Sequence, residues 1–164
     1  GTDPGTGGGT GETITLTFPG TGQTAVGSYT ATWETSSGSY TFEIFGFNNN
    51  NNGWSLIKCG RKGYASTAYI ATKTALTGAY KTISVTYDSY AAANVNSVKL
   101  ITATDAAFSQ GVQEVDVTSV SQAGTVNYTI ASPAANKYYK IAYDLASGSA
   151  NGFVIVSKVE FKTE

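Results

Sequence analysis

Short segments in which apolar or β-branched residues alternate with polar ones constrain the fold of this chain more than any other feature. From Thr13 onward they recur about every ten residues and are separated by clusters of Gly, Asn, Ser and Pro. Successive side chains of a strand point to opposite faces, so this period of two predicts half-buried β-strands. The pattern predicts about ten strands, within residues 13–18, 29–34, 40–45, 54–58, 65–71, 81–87, 95–103, 112–117, 125–130, 138–145 and 153–161.

The alternation also predicts which side chains of a strand share a face. Tyr139 is in phase with Ile141, and both should lie on the face opposite to Tyr138 and Lys140. In the last strand one face is predicted to carry Phe153, Ile155, Ser157, Val159 and Phe161. Helical periodicity is missing, and residues 104–110 suit at most one turn, opened by Asp105 and burying Phe108.

About ten antiparallel strands bury their apolar faces only as two packed sheets or as a closed barrel. We therefore predict an all-β, jelly-roll-like antiparallel sandwich. An immunoglobulin-like sandwich is the alternative; it ranks lower because the strand count is high and the single cysteine rules out the Cys, Trp, Cys spacing. Residues 13–164 are predicted to form one domain, and the Gly- and Thr-rich residues 1–12 a flexible tether.

Composition excludes several classes of function. The chain of 164 residues carries 10 basic and 11 acidic residues, so it lacks the basic face that nucleic acid requires. It has no histidine, which excludes His-based triads and His-ligated metal sites. It also has no membrane-spanning run and no signal segment; together with the tether, this favours a mature, exported chain.

The most distinctive local feature is a run of five asparagines, residues 48–52, followed by Gly53 and a tryptophan. We expect these amides in an exposed loop, where their donors and acceptors suit sugar hydroxyls. A positively charged turn follows closely and contains the only arginine, which can hold a carboxylate or sulfate with two hydrogen bonds. The predicted ligand-binding residues are Asn50, Asn51, Asn52, Trp54, Arg61, Lys62 and Tyr64. The competing interpretation is a solvated turn beside a core tryptophan.

No catalytic residue is predicted. Carboxylates able to form a glycosidase pair are Glu34, Glu43, Asp88, Glu114, Asp116 and Asp144, but strand carboxylates are usually a solvated face. A structural calcium ion is a weaker alternative to the expected absence of a cofactor, with Asp88 and Asp144 as its ligands. Cys59 ends an apolar segment and has no histidine to activate it, so we interpret it as a packing residue.

Three stretches carry a resemblance to a known group of proteins. They are Trp54-Ser-Leu-Ile-Lys-Cys-Gly-Arg-Lys62 with Ala65-Ser66, then Val95-Asn-Ser-Val-Lys-Leu100, and Ala146-Ser-Gly-Ser-Ala-Asn-Gly-Phe-Val-Ile-Val-Ser-Lys-Val-Glu160. The chain resembles all-β, jelly-roll, carbohydrate-binding or galactose-binding-like modules of surface lipoproteins and secreted proteins of gut Bacteroidetes. The resemblance implies a cell-surface or periplasm-facing location and an N-terminal lipid anchor, removed here, as the membrane attachment. It supplies no ligand motif, so no binding residue follows from it.

The sequence thus predicts a monomeric, non-catalytic, extracellular module that binds carbohydrate or mediates adhesion to a glycan or surface protein. The alternative is an accessory domain that docks a protein partner within a larger surface assembly and has no glycan ligand. An exposed aromatic platform favours the first function, and a broad flat apolar patch favours the second.

Overall fold

The structure, a computed structural model, describes residues 12–50, 55–118 and 122–164. Residues 1–11 of the predicted tether lie outside this part. The described residues form twelve strands and one 3₁₀ turn at Ala92–Asn94. The strands are β1 (Thr13–Thr17), β2 (Thr32–Ser37), β3 (Tyr40–Phe45), β4 (Phe47–Asn48), β5 (Ile57–Cys59), β6 (Ser66–Thr72), β7 (Thr82–Tyr90), β8 (Val95–Ala103), β9 (Gln113–Asp116), β10 (Gly124–Thr129), β11 (Tyr138–Leu145) and β12 (Val154–Lys162).

The strands form two antiparallel sheets of six. In the first, β7 pairs with β12 and β10 lies outside β7. On the other side of β12, β5 pairs with its first residues and β1 with its last, and β4 lies beyond β5. The second sheet has the order β2-β3-β6-β11-β8-β9. The predicted β-sandwich is confirmed, and β4 is the strand that the sequence pattern did not predict.

The sheets pack face to face through the side chains that alternate inward. Phe42 of β3 stacks on Phe161 of β12 with 5.9 Å between ring centroids, so the two sheets are in direct contact. Tyr139 and Ile141 are each 1% exposed, which confirms the predicted orientation of β11. Trp33 is also buried, and its indole nitrogen donates to the carbonyl oxygen of Phe47 at 2.9 Å.

Strand β12 departs from the predicted alternation. Val154 and Val156 are buried in its first half, whereas Val159 and Phe161 are buried in its second half. The pairing of β12 with β7 shifts register between Ile155 and Val156 and again between Val156 and Lys158. A bulge inserts an extra residue and so changes which side chains face inward. The prediction that Phe153, Ile155 and Ser157 share one face with Val159 and Phe161 is therefore wrong.

A cluster of tyrosine hydroxyl groups lies inside the sandwich. The Tyr87 hydroxyl is 2.6 Å from that of Tyr143 and 3.0 Å from that of Tyr128, so it links the two sheets. The neighbouring Tyr90 hydroxyl is buried without a partner among the described residues. Cys59 is buried as predicted, and this burial raises the pKa of its thiol well above the usual value.

Candidate functional site

An open depression of about 370 Å³ lies beside the turn that follows β5. One wall is the turn itself, and the other is the irregular segment before β2. Its lining residues are Gly27, Ser28, Tyr29, Thr30, Arg61, Lys62, Tyr64 and Asn151. Three of the predicted binding residues, Arg61, Lys62 and Tyr64, therefore come together in one place.

The turn that carries these residues is fixed by the backbone. Gly60 has φ +103, a conformation that favours glycine, and a Cβ there would lie 2.1 Å from the Phe153 ring. The connection between β11 and β12 holds the turn: the Gly148 amide donates to the Arg61 carbonyl at 3.0 Å, and the Gly63 amide donates to the Gly148 carbonyl at 3.0 Å. The Asn151 side chain accepts from the Lys62 amide at 2.7 Å. These bonds fix the backbone from which Arg61 and Lys62 project.

Arg61 and Tyr64 form the aromatic and cationic part of the depression. The Arg61 guanidinium lies 4.5 Å from the centroid of the Tyr64 ring, a cation–π contact that orders both side chains. Tyr64 is still 62% exposed, so most of its surface remains open to a ligand. Among the described residues, neither Arg61 nor Lys62 forms an ion pair.

The opposite wall is held by an asparagine that the sequence analysis placed in an exposed loop. Asn49 is 0% exposed; its side chain accepts from the Val26 amide at 2.6 Å and donates to the Thr24 carbonyl at 2.9 Å. Asn48 is also buried and accepts from the Asn50 amide at 2.7 Å. The prediction that all five amides are exposed is therefore wrong for Asn48 and Asn49. The Asn48 side chain holds a turn at Asn50, and the Asn49 side chain pairs with backbone groups of Val26 and Thr24.

The depression combines positive charge with hydroxyl groups. Its described lining contains no carboxylate, and Ser28, Tyr29 and Thr30 line the wall opposite the two cations. Burial raises the pKa of the Tyr29 hydroxyl, which therefore stays protonated at neutral pH. The site thus combines donors for an anionic group, hydroxyls that both donate and accept, and one open aromatic ring.

The other predicted binding residues do not join this site within the described chain. Asn50 is exposed but does not line the depression. Asn51, Asn52 and Trp54 lie outside the described residues, so their role in ligand binding stays a prediction.

The two predicted metal ligands lie apart. Asp88 is exposed on β7 of the first sheet, and Asp144 is exposed on β11 of the second, so they face solvent on opposite sides of the sandwich and do not share an ion. Within residues 12–50, 55–118 and 122–164, no group of three or more His, Cys, Asp or Glu residues is placed to hold a metal ion.

Two of the candidate carboxylates are neighbours. Glu34 and Glu43 lie opposite each other on β2 and β3, and Lys73 binds both, at 2.7 and 3.8 Å. Glu114 and Asp116 are exposed, and Glu114 pairs with Lys99 at 3.0 Å. These salt bridges match the predicted solvated faces.

The hydroxyl-bearing wall at residues 27–30 and Asn151 were not predicted from the sequence. The run Gly27-Ser-Tyr-Thr30 and the Asn151-Gly152 step both indicate loops, but only long-range pairing brings residues 27–30 and Asn151 to the same depression. The described residues contain no helix long and apolar enough to cross a membrane.

A comparison with protein-family models finds no match, and a comparison with curated proteins finds none either. Among solved structures, a mutant of a family 29 carbohydrate-binding module is similar at 11% identity, over 93% of this chain and 92% of that chain, with a TM-score of 0.41. This similarity is too distant to transfer a ligand or a residue role.

Proposed function

We propose that this protein is a non-catalytic carbohydrate-binding module that holds an acidic glycan, one bearing carboxylate or sulfate groups, in the depression between residues 27–30 and the turn at residues 60–64. The observation that carries the proposal is the pair of cations, Arg61 and Lys62, without an ion-pair partner among the described residues and beside the exposed Tyr64 ring.

The chemistry of an acidic sugar matches each part of this lining. The guanidinium of Arg61 can donate two parallel hydrogen bonds to a carboxylate or sulfate. The exposed Tyr64 ring offers an apolar surface to a sugar ring, and Ser28, Tyr29 and Thr30 supply hydroxyls to its polar rim.

The exposed surface of the described chain favours glycan binding over protein docking. Its exposed large apolar side chains are Tyr64, Val112 and Val115. Val112 lies just before β9 and Val115 lies within it, at a sheet edge, and Tyr64 lies on the separate turn after β5, so they do not form the broad patch that a docking surface requires. The proposal includes an extracellular setting, which the resemblance to surface modules and the low content of charged residues, 13%, support.

Isothermal titration calorimetry with oligogalacturonate, sulfated chondroitin oligosaccharides and neutral cellohexaose tests the proposal. We expect saturable binding of at least one acidic probe, weakened by added salt because charge contributes to the contact. Arg61→Ala should weaken it about tenfold or more, as expected for loss of a charged hydrogen bond worth about 1.5–3 kcal/mol.

Two further variants identify how the site reads its ligand. Arg61→Lys keeps the charge but loses the planar fork, so it should bind more weakly than the unaltered protein. Lys81→Ala removes an exposed cation at the residue before β7, outside the depression, and should leave affinity unchanged. Equal losses in Arg61→Ala and Lys81→Ala would show that only net charge matters and would refute a specific site.

A further inference from the structure

The outer face of the second sheet carries two adjacent hollows. The first, of about 270 Å³, lies over Ala71 of β6, and the second, of about 280 Å³, lies over Ala142 of β11. Ala71 pairs with Lys140 in the register, so Ala142, two residues further along β11, is its diagonal neighbour at about 7–8 Å. Both hollows exist because alanine occupies positions whose neighbours carry long side chains.

Tyr69 and Lys140 line both hollows and separate them. The Lys140 ammonium lies 4.7 Å from the centroid of the Tyr69 ring and 4.5 Å from that of Phe108. Phe45 stacks on Tyr69 at 5.6 Å, and the Tyr69 hydroxyl donates to Glu43 at 2.7 Å. The Tyr69 and Lys140 side chains that separate the hollows are therefore ordered before a ligand binds, which lowers the entropic cost of binding.

The loop at residues 105–110 is held by hydrogen bonds and supplies the outer wall of the first hollow. Asp105 accepts from the Ser109 amide at 2.9 Å and the Gln110 amide at 2.9 Å. Within this loop Phe108 has φ 54, an uncommon conformation for a residue with a side chain. The loop holds the Phe108 ring over Lys140 and against Tyr138, at 6.4 Å between centroids, so this wall too is preformed.

Positively and negatively charged side chains alternate around the rim of the two hollows. Lys73 is paired with Glu34 and Glu43 beside the first hollow, and Lys99 is paired with Glu114 beside the second, where Asp144 is exposed. Counting Lys140 between the hollows, three cations face four carboxylates, so the charges largely neutralise one another and an acidic ligand gains little here, whereas hydroxyl groups find donors and acceptors on both sides.

The sheet face also limits the class of ligand. Backbone N–H and C=O groups of β6, β11 and β8 are engaged in pairing with neighbouring strands. An extended peptide that adds to a sheet needs such groups free at an edge. Only side chains can read a ligand on this face, which suits a chain of hydroxyl-bearing units with one unit in each hollow.

We propose that the outer face of the second sheet is a second ligand-binding surface that takes a neutral oligosaccharide across the hollows over Ala71 and Ala142. It uses none of the residues of the depression at Arg61, and it differs from it in taking uncharged sugar. The proposal therefore stands apart from the proposed function and can fail or succeed independently of it.

Methyl NMR of protein labelled with ¹³C at alanine methyls tests this surface directly. The probes are neutral cellohexaose, xylohexaose and mannohexaose, each titrated to millimolar concentration. We expect saturable shifts of the Ala71 and Ala142 methyl signals with at least one probe, while the signal of Ala92, in the 3₁₀ turn, stays in place. The absence of saturable shifts at Ala71 and Ala142 with all three probes would overturn the proposal.

Variants separate this surface from the rest of the protein. Ala142→Ile fills one hollow with a residue that strands favour, and it should weaken binding at least tenfold. Thr32→Ile makes a comparable change on the same face outside both hollows and should bind normally. Lys140→Gln, which should weaken binding several-fold, serves if Ala142→Ile does not fold. Unchanged affinity in the folded hollow-filling variant, or loss of the methyl shifts in Arg61→Ala, would contradict a separate site.

Discussion

The buried tyrosine cluster yields a prediction whose size follows from the structure. Tyr87 is 2% exposed, and its hydroxyl is shared with Tyr143 at 2.6 Å and Tyr128 at 3.0 Å. Tyr87→Phe preserves the ring but leaves those two hydroxyls without this partner. Each buried polar group left without a partner costs about 1–3 kcal/mol, and two hydroxyls lose their partner here. Removal of the Tyr87 hydroxyl also removes the cost of its own desolvation, so we expect the free energy of unfolding to fall by about 2–4 kcal/mol.

Tyr90 provides the matched control in the same core. Its ring contacts that of Tyr87 at 4.9 Å between centroids, but its hydroxyl is buried with no partner among the described residues. Tyr90→Phe removes an unsatisfied group, so stability should stay the same or rise by up to about 1 kcal/mol.

Urea denaturation followed by circular dichroism measures both changes. With a slope of about 2 kcal/mol per molar, Tyr87→Phe should lower the midpoint by about 1–2 M, whereas Tyr90→Phe should not lower it. Similar losses in the two variants would refute the reasoning, because the hydrogen bonds would then not distinguish the two hydroxyls.

Three further predictions concern stability and can be measured by the same denaturation. Burial raises the pKa of Tyr87 well above its usual value of about 10, so only the unfolded chain ionises there; stability should be full below about pH 10 and fall above it, and a flat profile to pH 12 would contradict this. Hydrogen bonds from the Ser109 hydroxyl and nearby amides lower the pKa of Asp105, so its contribution should persist above about pH 4 and be lost as the pH falls further, and Asp105→Asn should remove that acid dependence. Asn49→Ala should lower the free energy of unfolding by about 1–3 kcal/mol because it leaves the Val26 amide and the Thr24 carbonyl without their partner. An effect below about 0.5 kcal/mol would show that water replaces the side chain.

The fold was largely predictable because alternation is a local property of each strand. The predicted bounds of β3, β8 and β11 agree with the structure, and the prediction that Tyr139 and Ile141 share a face of β11 was correct. Alternation failed in β12, where a bulge between Ile155 and Lys158 shifts the register, since a bulge depends on the partner strand. Strand β4 was missed because its two residues are too few to show a period.

The candidate site was predictable only in part. Arg61, Lys62 and Tyr64 attract notice because charge and an aromatic ring fall within one short turn. Their partners across the depression, residues 27–30 and Asn151, are distant in sequence and meet the turn only through folding. Asn49 could not be assigned from local sequence either. The asparagine run at residues 48–52 suggests an exposed loop, and only the hydrogen bonds to Thr24 and Val26 show that Asn49 is buried and holds that segment.

The alanine hollows were beyond sequence reasoning for a related reason. Ala71 and Ala142 are unremarkable residues in their own strands, and the space above them appears only when Tyr69, Lys140 and the loop at Phe108 are brought together.

Mapping an acidic oligosaccharide onto the backbone by ¹⁵N NMR tests the central claim most directly. Titration with oligogalacturonate or a sulfated chondroitin oligosaccharide should shift the amide signals of Ser28, Tyr29, Thr30, Lys62, Tyr64 and Asn151, and Arg61→Ala should abolish these shifts while the remaining spectrum stays folded. Saturable shifts confined to other surfaces, or none with either acidic probe, would contradict acidic-glycan binding at this depression.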